Sequence, residues 1–179
     1  MVVALFRMTM AEFLNLPDIE ASPAWEFVNQ VAGQKTMPTL FHSRLQKHLL
    51  TIIDQSTQAY EALPELRCIL SESSVVPDVA VMRLDRLPQF NKPIEGAPDW
   101  VIEILSPDQR VTRVITKIQA CLEAETRLAW LIDPLEEVVM VFWRDRPLVI
   151  LRGNDLLPVL PDVQLELTPI EIFAWMKGQ

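Results

Sequence analysis

Asp99-Trp100-Val101-Ile102-Glu103-Ile104-Leu105-Ser106 is an apolar run of strand length that carries one internal carboxylate, Glu103. From about Gln109 to Glu125, Val111, Ile115, Ile118 and Leu122 then recur on one helical face, and Ala129-Trp130-Leu131-Ile132 is another apolar strand. Strand, helix and strand in this order make a βαβ-like unit from Trp100 to Ile132, which places the chain in the α/β class.

The flanking sequence extends that unit into a mixed sheet. Leu66 to Ser71 and Val75 to Leu84 read as strands before it, and Val138 to Trp143 and Leu148 to Leu151 after it. Leu40 to about Tyr60 places Phe41, Leu45, Leu49 and Ile52 at helical spacing. Nearer the N-terminus, Thr9 and Glu12 form a capping box opening a short helix that stops before Pro17, and Trp25 to Val31 alternates as a strand does. Asp162 to Leu167 reads as a last strand. Thr168-Pro169-Ile170-Glu171 is an N-cap with Pro at the first position of a C-terminal helix. The expectation is one α/β domain over 1–179, a mixed β-sheet core flanked by helices. Its parts are an N-terminal helical and strand segment (1–60), a core (66–151) and a C-terminal strand and helix (162–179). Asp85 to Pro98 is expected to be the mobile loop, and Glu136-Glu137 a solvated hairpin turn.

Half of the 179 residues are hydrophobic and 22% are charged, which excludes a disordered chain. No apolar stretch approaches the roughly 20 residues of a membrane helix. Met1 to Arg7 lacks a basic leader and a small-residue cleavage site, so a cytoplasmic location is expected. Cys68 and Cys121 lie in apolar segments without metal-ligand spacing and read as buried free thiols. The formal charge of −8 argues against broad, non-specific nucleic-acid binding, yet is compatible with carboxylates gathered around a divalent cation. With four glycines, none placed to cradle phosphates, no nucleotide cofactor site is expected.

Chemistry is sought where a carboxylate interrupts an apolar strand, because burying a lone charge is expensive. Pro77-Asp78 opens the strand before Glu103, and neighbouring strands would bring Asp78 and Glu103 together. Side by side they would hold a hard cation such as Mg2+ through oxygen ligands, with the backbone carbonyl of Ile104 completing the protein ligands. On the following helix Arg110, Arg113 and Lys117 fall on one face, and the apolar residues are expected to face elsewhere. Two metal-binding carboxylates with a cation beside them are the parts that phosphodiester hydrolysis requires. Plainer readings stand next to these. Asp78 reads also as a turn residue after Pro, Glu103 as half of a buried salt bridge, and Lys117 as a partner of Glu123 or Glu125. Trp100, Trp130 and Trp143 read as core residues.

Pro77-Asp78, Val101-Ile102-Glu103-Ile104-Leu105-Ser106-Pro107, Lys117 and Trp130-Leu131-Ile132-Asp133-Pro134, taken together, resemble the Uma-type restriction endonucleases, a branch of the PD-(D/E)xK nuclease superfamily. Trp25-Glu26-Phe27-Val28 resembles the early acidic strand of that family, and His42 with its helix resembles the segment that follows. The resemblance implies a restriction-endonuclease-like fold and a Mg2+-dependent endonuclease (Mn2+ is also possible) that cuts DNA. The superfamily's Lys two positions after the Glu is replaced here by Leu105, and the resemblance assigns that role to Lys117. Asn29 to Lys35 departs from the family's Asp-Gly-Glu type of turn. Glu26 reads equally as a further acid of the site and as an exposed strand residue. Arg110 and Arg113 would contact phosphates, and His42 and Gln46 would position substrate or water. Cutting both strands of a duplex would call for a homodimer. Two rival functions remain: a catalytically silent domain of the same fold used in protein interaction, and a metal-dependent hydrolase of RNA or a small phosphate ester.

Overall fold

A computed structural model of the chain describes residues 8–107 and 109–177. The readings made on Met1 to Arg7, and the last two residues of the C-terminal segment, lie outside the described residues. In chain order the elements are α1 (Met10–Leu14), β1 (Trp25–Val28), β2 (Val31–Gln34), α2 (Leu40–Gln55), β3 (Tyr60–Pro64), β4 (Cys68–Ile69), β5 (Ser74–Val75), β6 (Val79–Arg83), β7 (Ile94–Glu95), β8 (Trp100–Ile104), α3 (Val111–Glu123), β9 (Leu128–Asp133), β10 (Val138–Phe142), β11 (Val149–Arg152) and α4 (Pro169–Ala174).

The larger sheet runs β11-β10-β9-β8-β6-β3 and the smaller one β2-β1-β5-β4-β7. β8 and β9 are parallel, with α3 as their crossover, so the βαβ unit is confirmed. All five residues of β8 are buried, because the strand is central and both faces of its sheet are covered. On one face Leu45, Leu49 and Ile53 of α2 and Ile172 and Phe173 of α4 pack over Val79, Val81, Trp100, Ile102 and Trp130. On the other, Val114, Ile118 and Cys121 of α3 pack over Met82, Val101, Ala129 and Leu131. Glu103 continues the Val101 row, because side chains two apart on a strand share a face, and it therefore faces α3.

Several elements differ from the expectation. Trp25 to Val31 is not one strand but the first arm and turn of a hairpin, in which Asn29 (φ 50°) and Gln30 (φ 62°) both adopt the left-handed conformation of a tight two-residue turn. Tyr60–Pro64 forms an edge strand where a helix end was expected, and Pro64 is tolerated there because only one side of the strand is paired. Leu66 to Ser71 contributes only two ladder residues. Asp162 to Leu167 joins no sheet; isolated bonds hold it, from the Gln164 N–H to the Ser56 carbonyl and from the Leu157 N–H to the Leu167 carbonyl. Within Asp85 to Pro98, Ile94–Glu95 pairs in parallel with β4. Glu136 and Glu137 are exposed in the β9–β10 turn, as expected.

The difference that matters most lies in Val75 to Leu84. It is two strands in two sheets, β5 and β6, joined by Val76-Pro77-Asp78. Proline has no N–H to offer a ladder, so pairing stops at Pro77 and the chain crosses from one sheet to the other.

Candidate active site

The crossing from β5 to β6 is where the buried charges meet. Val76 donates its N–H to Glu26 Oε1 (2.9 Å) and accepts from Lys35 Nζ at its carbonyl (2.9 Å). Two residues on, Asp78 Oδ2 accepts the Ile104 N–H (2.7 Å), tying this carboxylate to the residue after Glu103. Asp78 Oδ1 faces Lys35 Nζ at 2.8 Å and His42 Nε2 at 3.5 Å, and Gln46 Nε2 donates to the Asp78 carbonyl (2.7 Å). Asp78 is buried in this web, well beyond what a simple turn-capping residue needs.

Lys117 bridges the other two acids, with Nζ 2.8 Å from Glu26 Oε1 and 2.7 Å from Glu103 Oε2. It is 3% exposed and lies on the same stripe of α3 as Val114, Ile118 and Cys121, which corrects the expectation that the apolar residues of this helix face elsewhere. The pairing with Glu26 and Glu103 also replaces the reading that joined Lys117 to Glu123 or Glu125. Glu26, at 7% exposure, is a buried partner in this cluster and not an exposed strand residue. Glu103 is 1% exposed, and its Oε1 has no hydrogen-bond partner among the described residues.

The electrostatics follow from this crowding. Burial pushes Glu103 up to about 8, with Asp78 and Glu26 adding to the rise and Lys117 opposing it. Burial also disfavours charge on Lys117, but Glu103 and then Glu26 outweigh it and hold the ammonium well above the usual lysine range. Asp78 moves the other way: although burial raises it, Lys35 holds its carboxyl below the ordinary value. Burial disfavours charge on Lys35, but Asp78, joined by Glu103 and Glu26, holds its ammonium above the ordinary value.

Two residues of this cluster escaped the sequence reading, Lys35 and Glu65. Lys35 Nζ lies 2.6 Å from Glu65 Oε2, and Gln46 Nε2 lies 3.3 Å from Glu65 Oε1. His42, Glu65 and Asp78 form the one group, among the described residues, of three His, Cys, Asp or Glu side chains with ligand atoms all within 4.8 Å of one another. These three line a cleft of about 200 Å³ together with Lys35 and Gln46, whereas Glu26, Glu103 and Lys117 are not in its lining. Arg110 is exposed at the N-cap of α3. Arg113 lays its guanidinium across the hairpin against Gly33, where a side chain would collide with it. The two arginines therefore stay outside the buried cluster and its cleft.

The family model Uma2, described as "Putative restriction endonuclease", matches residues 10–171. The chain belongs to this family. Among solved structures, a putative nuclease belonging to DUF820 from Anabaena variabilis is similar at 35% identity and a TM-score of 0.87, covering 94% of this chain and 99% of that one. No curated protein matched. This Uma2 chain has two mixed sheets flanked by helices, with Asp78 where the chain crosses from one sheet to the other. In this Uma2 chain Leu105 stands two positions after Glu103, and the lysine that reaches Glu103 comes from α3.

Proposed function

We propose that this chain is a Mg2+-dependent endonuclease that hydrolyses DNA phosphodiester bonds, with Mn2+ as an alternative metal. The observation that carries the reading is Glu103 Oε1, a buried carboxylate oxygen without a partner among the described residues, on a side chain already paired with Lys117 and beside the amide that fixes Asp78. The cluster fits a divalent cation. Glu26, Glu65, Asp78 and Glu103 gather four carboxyl groups around two ammonium groups, Lys35 and Lys117, so among the described residues acidic groups outnumber basic ones in these ion pairs. The donors are hard oxygens, the ligand type that Mg2+ selects. Asp78, Glu103 and the Ile104 carbonyl are the residues that would hold it. A cation bound there supplies a polarised phosphoryl oxygen and a more acidic water.

The chain's own groups do the rest. Glu26 holds Lys117 together with Glu103, so the ammonium is fixed in position and charged before substrate arrives, and no reorganisation is needed as negative charge builds on the phosphoryl oxygens. Asp78 is oriented by the Ile104 amide, which leaves its Oδ1 facing the cleft. His42 and Gln46 line that cleft and position substrate or water. Arg110 and Arg113, exposed on the first turn of α3, contact backbone phosphates and contribute affinity without reading sequence. A homodimer would set two such sites on opposite strands of a duplex. No described helix is long and apolar enough to cross a membrane, and a cytoplasmic location belongs to the same reading.

Substrate competition tests this function. With Mg2+ and then Mn2+, the full chain is incubated with supercoiled plasmid, single-stranded RNA and a phosphomonoester, separately and mixed. Preferential conversion of plasmid to open circles supports the reading. Preferential turnover of RNA or the monoester replaces the substrate class, and no turnover of any of them favours the catalytically silent domain.

A further inference from the structure

The cleft holds a second feature, one that the Asp78–Glu103 arrangement does not use. Lys35 Nζ sits between Glu65 Oε2 at 2.6 Å and Asp78 Oδ1 at 2.8 Å, and also meets the Val76 carbonyl at 2.9 Å. Three oxygens converging on one point are what a cation site offers, and here the cation is the protein's own. His42 completes the set from the N-terminal turn of α2. Its imidazole is 7% exposed, its Nδ1 has no partner among the described residues, and its Nε2 lies 3.5 Å from Asp78 Oδ1, too far for a good hydrogen bond. A buried imidazole with neither nitrogen well used, aimed at a carboxylate pair, calls for a ligand.

We propose that His42, Glu65 and Asp78 form a binding site for one first-row divalent cation, which enters by exchange with the Lys35 ammonium. Charge supports the exchange: two carboxylates face one ammonium, and a divalent ion neutralises both. The donor set supports the class of metal, because an imidazole nitrogen beside two carboxylates suits Mn2+ and its heavier neighbours better than Mg2+. Access is open, since all three ligands and Lys35 line the cleft and Glu65 is exposed. Lys35 lies just beyond the end of β2, on a flexible four-carbon stem, and can turn its ammonium to the solvent side. The site does not depend on phosphodiester hydrolysis and shares only Asp78 with the catalytic ligands proposed above.

The test is Mn2+ titration of the full chain, read by calorimetry and by electron spin echo, which detects a nitrogen bound to Mn2+. The wild type is expected to show a histidine nitrogen signal that persists in Glu103→Ala. The signal should vanish in His42→Gln, and Glu65→Gln, an exposed change that spares the core, should weaken binding by at least about tenfold. Lys35→Met should tighten binding about tenfold or more, if the ammonium leaves the site free less than about a tenth of the time. A wild-type Mn2+ complex without a nitrogen signal, or Glu65→Gln and Lys35→Met variants that bind as the wild type does, would overturn the site. Plasmid left uncut while the nitrogen signal is present would defeat the nuclease reading alone.

Discussion

Lys117→Met is the substitution with the most calculable outcome, because Lys117 is the single ammonium between Glu26 and Glu103. Methionine fills much of the same volume, so packing against Ile118 and Cys121 is largely kept, while two buried carboxylates lose their shared cation. Removing one partner of a buried ion pair costs about 3–5 kcal/mol. For a chain of this length that is a fall in Tm of about 6–20 °C. The pH dependence carries a definite sign. Glu103 has a folded-state pKa of about 8 against an ordinary 4.5, so its contribution to stability is full below the ordinary value and is lost as pH rises through 8. Without Lys117 the proton is held still more tightly. The deficit of the variant should therefore be smaller at pH 6, where Glu103 is protonated and only the pairing with Glu26 is lost, than at pH 9, where Glu103 must ionise unpaired as well. Urea unfolding in EDTA, followed by the fluorescence of buried Trp100 and Trp130, measures both. A deficit within about 1 kcal/mol at pH 9, the range of a surface pair, would refute the buried bridge.

Three further outcomes follow from the same structure. Arg67→Met should cost about 3 kcal/mol or more and loosen residues 19–25 in hydrogen exchange, because the buried guanidinium bonds Ser74 Oγ and the carbonyls of Ile19 and Trp25, which would be left unpaired. Thr168→Ala should lower stability by about 1 kcal/mol in thermal melts, through loss of the capping box with Glu171 at the start of α4. Arg110→Ala and Arg113→Ala should each weaken duplex binding similarly on unrelated sequences. With one phosphate fewer neutralised, each should also flatten the slope of log affinity against log salt by about 0.9.

What was legible in the sequence was the set of elements whose period is strong. β8, apolar but for Glu103, and β9, apolar up to Asp133, read as strands because they are the centre of the larger sheet, and α3 shows its apolar stripe because it covers one face of it. Glu103 stood out for the same reason, as a charge where nothing polar is expected. The hairpin at Asn29-Gln30 was hidden because its left-handed turn is made without glycine. The break inside Val75 to Leu84 has a visible signal, Pro77, which cannot sit in the middle of a ladder; the sequence does not distinguish a strand start there from the crossing between sheets that the structure makes. Lys35 and Glu65 were not legible, since their meeting depends on how the hairpin folds back over the crossing. Glu65 also sits in a turn with positive φ just beyond an edge strand, where an exposed acid is ordinary. The misreading of α3 has a general cause: a lysine whose ammonium is paired can occupy an apolar stripe, so its charge alone does not mark the solvent face.

The most direct measurement is the nicking of supercoiled plasmid in Mg2+ or Mn2+ by the wild type, Glu103→Ala and Lys117→Ala, each first shown to be folded at the assay pH. Metal-dependent nicking by the wild type that is lost in both variants is the predicted result. Nicking that survives in either variant, or a folded wild type that cuts with neither metal, would contradict the account.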